Sequence, residues 1–180
     1  YALKHPRPYS LAVKCGFKAK SSEDLMHRND MKKVSDNYKK NLNGIKKYNQ
    51  NQQLLSQLYS DVNQTCKNSI DQWCKQNPIV ASNFFDFIVS NNFYKVIVNE
   101  TNKVPSVEIQ DFLNIPKPQS LICAFDPKRK NYLTFNFNHG WVIELRIHTA
   151  ASTINTNPDN QLSLKFDAQK LLGSVKTYNI

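Results

Sequence analysis

The strongest constraint on the fold of this chain is a run of alternating apolar and polar residues between Tyr132 and Asp167. In the segment YLTFNF, Leu133, Phe135 and Phe137 alternate with polar neighbours, the period of two that places side chains on opposite faces of a strand. The short segment NHG follows, and WVIELRIH then resumes the alternation. The pattern predicts a β-hairpin with one apolar face.

The second strand of this hairpin and the later run LSLKFD both carry charged side chains on the face away from the core. Arg146 and His148 stand two residues apart on the polar side of WVIELRIH, and Lys165 and Asp167 do so in LSLKFD. The apolar positions of the two runs are Trp141, Ile143, Leu145, Ile147, Leu162, Leu164 and Phe166. We therefore expect a small antiparallel sheet whose exposed face is charged.

Helical patterns dominate the chain before this sheet. From Leu54 to Cys74 apolar residues recur at every fourth position, which predicts a buried helix. A second apolar helix is predicted after Pro78, ending near Ser90, and FYKVIVNE then has the composition of a strand. Helices followed by strands predict an α+β fold in a single or partial domain. Its expected parts are a basic arm (1–22), a helical region (22–98) and a mainly β region (99–180).

A further helix is predicted over residues 22–48, on a thin apolar stripe that runs from Met26 through Val34 to Ile45. Three lysine doublets repeat at a spacing of seven, which would place them on one side of that helix, away from the stripe. The doublets are Lys32 with Lys33, Lys39 with Lys40, and Lys46 with Lys47. Either they form a solvated helix face, or they follow the phosphates of a nucleic acid.

Charge points to a polyanionic partner. The chain of 180 residues carries 24 Lys and Arg against 14 Asp and Glu, a net charge of +10. Residues 1–75 hold 14 of the basic and 6 of the acidic side chains, which concentrates +8 in that part. Such an excess is typical of proteins that bind nucleic acids.

The remaining composition excludes several classes of protein. The four cysteines have neither zinc-ligand nor disulfide-framework spacing, which favours reduced thiols in a cytoplasmic protein. No run of about 18 apolar residues predicts a membrane span. A phosphate-binding glycine loop and a nucleophile elbow are both absent, and His27 and His139 are expected at the surface.

Several segments together resemble the HaeIII family of type II restriction endonucleases. The similar segments are ALKHPR near the start, FFDFIVSNNFYKVI, GWVIELRIHTAAST and LSLKFDAQ, in that order. The resemblance implies a PD-(D/E)XK catalytic core and Mg²⁺-dependent cleavage of double-stranded DNA, with GGCC the site typical of the family. It also implies a cognate DNA methyltransferase in the same restriction-modification system, and a homodimer is one expected assembly.

In the family that this chain resembles, the acidic residues and the catalytic lysine precede the ALKHPR segment. We therefore expect them before Tyr1, name no metal ligand or catalytic residue in this chain, and expect that it does not cut DNA alone. The DNA-contacting residues are expected within it. Lys4, His5 and Arg7 would contact phosphates near the cleavage position, or else belong to an ordinary basic arm.

Arg146 and Lys165 are the expected base readers, because arginine and lysine bond guanine O6 and N7 in the major groove. His148 and Asp167 would orient them or accept a hydrogen bond from cytosine N4. The alternative is that Arg146, Lys165 and Asp167 form a salt-bridged, purely structural face. Two other classes of protein stay open as well: a non-catalytic nucleic-acid-binding domain, and an interaction domain whose basic surface is incidental.

Overall fold

The computed structural model describes residues 6–89, 93–99, 106–112, 114–154, 161–170 and 174–179. Its helices are α1 (Leu11–Lys14), α2 (Ser22–Lys40), α3 (Gln52–Gln76) and α4 (Ile79–Val89). Its strands are β1 (Phe93–Asn99), β2 (Ser106–Phe112), β3 (Leu121–Phe125), β4 (Tyr132–Phe137), β5 (Val142–Thr149), β6 (Leu162–Lys170) and β7 (Ser174–Asn179). The predicted α+β order, helices first and an antiparallel sheet after them, is confirmed.

The strands that the structure describes form two antiparallel sheets, ordered β3-β4-β5-β6 and β1-β2-β7. The predicted hairpin is β4 and β5, and Gly140 closes its turn at a φ of 91°, which glycine adopts without strain. Strand β2 is seven residues long, although the prolines and the weak periodicity of residues 99–120 predict only a loop or a short edge strand there. A full strand is compatible with the prolines at positions 105 and 116, because both lie outside it.

One face of the four-stranded sheet packs on α3 and α4 and forms the core. The rings of Phe84 in α4 and Phe135 in β4 meet edge-on with centroids 5.1 Å apart, and Phe85 meets Trp141 at 5.0 Å. The predicted stripe of α3 is buried at Leu58, Val62, Cys66 and Ile70, whereas its ends, Leu54 and Cys74, are only partly buried. Leu55 and Trp73 beside the stripe are buried as well. Each fully buried large apolar side chain contributes roughly 1.5–3 kcal/mol. The opposite face is exposed at β3, where Ile122 is 69% exposed, and partly exposed along β5.

Helix α2 differs from its prediction in length and orientation. It ends at Lys40 rather than near residue 48, because Asn43 and Gly44 adopt positive φ values of 44° and 83° that interrupt a helix. Met26, predicted on the apolar stripe, is 56% exposed. The face that α2 buries is instead a largely polar one, made of Asp24, His27, Met31, Ser35 and Tyr38. A hydrophobic pattern could not locate it.

Residues 6–22 correct the expected extended basic arm. A 3₁₀ turn (Pro8–Ser10) leads into α1, where Leu11 and Ala12 are fully buried. The following turn needs Gly16, at a φ of 96°, because an added Cβ would lie 2.1 Å from the Asn83 side chain of α4. This segment is therefore part of the core. Among the described helices, none has an apolar stretch long enough to cross a membrane.

Candidate nucleic-acid interface

The outer face of the four-stranded sheet brings together most of the predicted contact residues that the structure describes. Arg146 in β5 lies directly opposite Lys165 in β6, and His148 lies opposite Ser163. Side chains directly opposite on antiparallel strands have Cβ atoms about 5 Å apart. Arg146, His148 and Lys165 are all partly exposed, whereas Ile147 and Leu164 on the other face are fully buried. The predicted split into a buried apolar face and a charged outer face is confirmed for these residues.

Arg7 joins this face from a distant part of the sequence. The guanidinium donates through one nitrogen, Nη1, to the carbonyl of Leu162 at 3.0 Å and to Ser163 Oγ at 3.1 Å. The neighbouring Pro6 carbonyl accepts a hydrogen bond from the backbone of Leu164 at 3.0 Å. The segment thereby covers the edge of β6, and the Nε and Nη2 donors of Arg7 have no partner among the described residues.

Three of the seven predicted DNA contacts cannot be placed in this way. Lys4 and His5 lie outside the described residues. Asp167 belongs to β6 and pairs in register with Glu144, but its side chain lies outside the described part of the structure. The structure therefore brings together Arg7, Arg146, His148 and Lys165.

Glu144, which lies two residues before Arg146 on the same face of β5, is paired with a different cation. Glu144 accepts two hydrogen bonds from Arg129, at 2.6 Å from Nη1 and 3.2 Å from Nη2, and this carboxylate raises the pKa of the guanidinium. No described carboxylate lies within ion-pair distance of Arg7, Arg146 or Lys165. The salt-bridged alternative of Arg146, Lys165 and Asp167 stays a prediction, because the Asp167 side chain lies outside the described part of the structure.

Arg129 is a feature of this face that the sequence analysis did not single out. It comes from the turn between β3 and β4, where the segment DPKRKN predicts a turn but no particular contact. Its guanidinium carbon lies 3.9 Å from the centroid of the Tyr132 ring, and Tyr132 is directly opposite Arg146 in the sheet. The three consecutive cations of the turn, Lys128, Arg129 and Lys130, were the signal available in the sequence. Both lysines are exposed.

The lysine doublets do not form one helix face. Lys46 and Lys47 follow the end of α2, and Lys47 forms a β-bridge with Thr153. On α2, Lys32 pairs with Asp36, Lys33 Nζ lies 2.7 Å from Asp30 Oδ1, and Lys39 Nζ lies 3.9 Å from Asp36 Oδ1. These cations are largely balanced by acidic side chains of the same helix.

The expectation that His27 is a surface residue is wrong. His27 is 1% exposed, and its Nε2 lies 2.9 Å from the Pro8 carbonyl, which can only accept a hydrogen bond. Nδ1 is then the acceptor for the Ser69 hydroxyl at 2.8 Å. Burial lowers the pKa of this imidazole and keeps it neutral. His27 thus joins α2, α3 and the amino-terminal segment rather than facing solvent.

His139 is also partly buried rather than fully at the surface, because its ring packs against Phe85 at 4.8 Å. That burial lowers its pKa. All four cysteines are free thiols, as expected, and burial raises the pKa of Cys66 to about 12 and that of Cys74 to about 11. Protonated thiols of this kind are poor nucleophiles.

Among the described residues, no group of three or more His, Cys, Asp or Glu side chains could hold a metal ion. The Mg²⁺ that the resemblance implies is usually held by one or two carboxylates together with water and substrate phosphates, and its ligands stay unassigned. Comparison with known proteins gave no match to a family model, to a curated protein or to a solved structure.

Proposed function

We propose that this chain binds double-stranded DNA through the outer face of its four-stranded sheet, as part of a type II restriction endonuclease of the PD-(D/E)XK kind. Arg146 and Lys165 contact base edges, and Arg7 contacts the backbone. The nuclease assignment, the GGCC site and the Mg²⁺ requirement rest on the resemblance to the HaeIII family alone. The DNA-binding assignment rests on the resemblance and on the geometry of this face.

One observation carries the DNA-binding proposal. Arg7, Arg146 and Lys165 are brought to one open surface from separate parts of the chain, and no described carboxylate neutralises them. Cations that a fold assembles without anionic partners create a local positive potential, which favours a polyanion. A charge of +10 for the whole chain acts in the same direction.

The two base-reading candidates suit a short G/C site by chemistry and spacing. Arginine bonds guanine O6 and N7 in bidentate fashion, and lysine bonds the same atoms less rigidly. Since Arg146 and Lys165 lie opposite each other, with Cβ atoms about 5 Å apart, they can reach the same or adjacent base pairs, which rise by about 3.4 Å. His148 lies two residues from Arg146 on the same face of β5, where it can orient the arginine.

No catalytic or metal-binding residue is assigned in this chain. The role proposed for this chain is recognition and positioning of the duplex.

Fluorescence anisotropy tests the proposal. Labelled duplexes with and without GGCC are titrated with the chain over a range of salt concentrations. We expect affinity to fall steeply with salt, by about 0.9 in log-log slope for each phosphate neutralised, and the GGCC duplex to bind more tightly. Binding that ignores GGCC would favour the non-catalytic nucleic-acid-binding alternative. The absence of binding would favour the interaction domain.

Cleavage is measured separately on a plasmid that contains GGCC, with Mg²⁺ present. We expect that the 180-residue chain leaves the plasmid intact. Specific cleavage by the chain alone would show that its active site lies among residues that we have not named.

A further inference from the structure

Arg129 occupies the same outer face as the proposed duplex contacts, but its surroundings differ from theirs. Its two terminal nitrogens are bonded to Glu144, which is only 13% exposed, and the guanidinium lies over the ring of Tyr132. Yet the Arg129 side chain remains 48% exposed. One edge and one face of the plane are therefore covered, and the opposite face is turned to solvent.

The charge of Arg129 is already neutralised by the carboxylate of Glu144. An arginine in this state is a weaker contact for phosphate, because the negative charge of Glu144 offsets the attraction of the guanidinium for a second anion. Its planar face is still available. Guanidinium planes and aromatic rings are the surfaces on which proteins stack unpaired nucleobases.

The turn that carries Arg129 is held in place before any ligand binds. Asp126 accepts hydrogen bonds at its side chain from the amide of Lys128 at 2.9 Å and at its carbonyl from the amide of Arg129 at 3.0 Å. Asn63 of α3 donates to the carbonyl of Lys130 at 2.8 Å. A surface fixed in advance loses little conformational entropy on binding.

The two flanking side chains complete the chemistry of such a site. Lys128 and Lys130 are exposed on either side of Arg129, and neither has an ion-pair partner among the described residues. Single-stranded nucleic acids are bound by planar surfaces that stack bases together with cations that follow the backbone. The turn provides both within three consecutive residues.

We infer that the Arg129 guanidinium, supported by Tyr132 and Glu144, is a stacking platform for one unpaired nucleobase, with Lys128 and Lys130 contacting the adjoining phosphates. This inference rests on the proposed DNA-binding function and extends it to DNA that is bulged, frayed or single-stranded beside the bound duplex. Neither the resemblance nor the composition of the chain points to such a site.

The test uses two short duplexes of the same sequence, one fully paired and one with a single bulged 2-aminopurine. We expect the chain to bind the bulged duplex more tightly and to quench its fluorescence, because stacking quenches this base. Arg129→Lys keeps the charge and can still pair with Glu144, but it lacks the planar face. It should weaken binding of the bulged duplex by about tenfold, the effect of losing one stacked base, and leave the paired duplex unaffected.

Circular dichroism and thermal unfolding measure whether the variant Arg129→Lys is folded. If it is not, the quenching of 2-aminopurine by the unsubstituted chain decides the question alone. Equal affinity for the two duplexes without quenching would overturn the inference and leave the duplex-binding function intact. Failure of the chain to bind either duplex would overturn both.

Discussion

The basic side of α2 and the outer face of the four-stranded sheet both carry several cations, but those cations have different neighbours. On α2, Lys32, Lys33 and Lys39 each lie beside an aspartate three or four residues away on the same helix. On the sheet, Arg146 and Lys165 lie opposite each other without a described carboxylate partner. Nearby carboxylates offset the charge of these lysines on α2, whereas no described carboxylate offsets the charge of Arg146 and Lys165 on the sheet.

The comparison shows that a count of charges along the sequence does not locate an electrostatic surface. The excess of +8 over residues 1–75 pointed to the first part of the chain. Within that part, however, Lys32, Lys33 and Lys39 lie beside carboxylates of α2. Arg146 and Lys165 of the later strands lie directly opposite each other, and neither has a carboxylate partner among the described residues. Opposite charges three or four residues apart on a helix are neighbours, and they cancel locally.

The largest expected effect is the difference in duplex affinity between a variant that lacks cations of the sheet and a variant that lacks cations of α2. The triple variant Arg7→Ala, Arg146→Ala, Lys165→Ala should lower duplex affinity by about a hundredfold or more, since each hydrogen bond to a charged group contributes about 1.5–3 kcal/mol. The matched control is Lys32→Ala, Lys33→Ala, Lys39→Ala, which removes the same charge. We expect less than about threefold from the control, because these cations are already paired. Anisotropy at fixed salt measures both, and equal losses would remove the distinction between the surfaces.

Arg146→Ala alone tests whether the sheet reads sequence or only attracts DNA. It should weaken binding to GGCC duplexes by about tenfold, the discrimination of one bidentate contact to guanine, and change binding to unrelated duplexes little. The melting temperature should stay nearly constant, because the side chain lies on the open face. An equal loss on all DNA together with a lower melting temperature would make Arg146 a structural residue.

Much of the fold could be predicted from patterns with a short period. The alternation in YLTFNF and WVIELRIH located β4 and β5, and the four-residue spacing of Leu58, Val62 and Cys66 located α3. These patterns are reliable because one face of each element is uniformly apolar and packs on the core.

The parts that were missed depend on contacts between distant residues. The buried face of α2 is polar because His27 bonds to Ser69 and Pro8, which lie 42 and 19 residues away. Arg7 reaches the sheet through Ser163, 156 residues along the chain. The partner of Glu144 could not be predicted either, since several cations lie near this carboxylate in the sequence and only the folded turn places Arg129 beside it.

The inner side of α2 provides a test of its structural role. Because burial lowers the pKa of His27, the unfolded chain takes up a proton below about pH 6.5, before the folded chain does. The free energy of unfolding should therefore fall as the pH drops below that value. Thermal unfolding at several pH values measures this, and His27→Gln should reduce the slope.

The variant His139→Gln serves as the comparison for the pH dependence of unfolding, since burial also lowers the pKa of His139.

The variant Ser69→Ala should lower the free energy of unfolding by about 1 kcal/mol at neutral pH, the net value of one hydrogen bond, without weakening duplex binding. A loss of DNA affinity in Ser69→Ala at full stability would contradict the assignment of α2 and its packing partner to structure alone.

The smallest effect concerns the ion pairs on the exposed side of α2. The pair Lys33 and Asp30 is highly exposed, at 78% and 49% of the side chains, so solvent screens most of the attraction. A double-mutant cycle with Lys33→Ala and Asp30→Ala should give a coupling of about 0.3–0.5 kcal/mol at low salt.

The single variant Asp30→Ala leaves Lys33 without its aspartate partner. If pairing is what keeps α2 from binding DNA, this variant should bind duplex DNA slightly more tightly. Unchanged affinity in Asp30→Ala would mean that α2 lies too far from the duplex for its charge to matter, and the contrast between the two surfaces would then be one of position rather than of pairing.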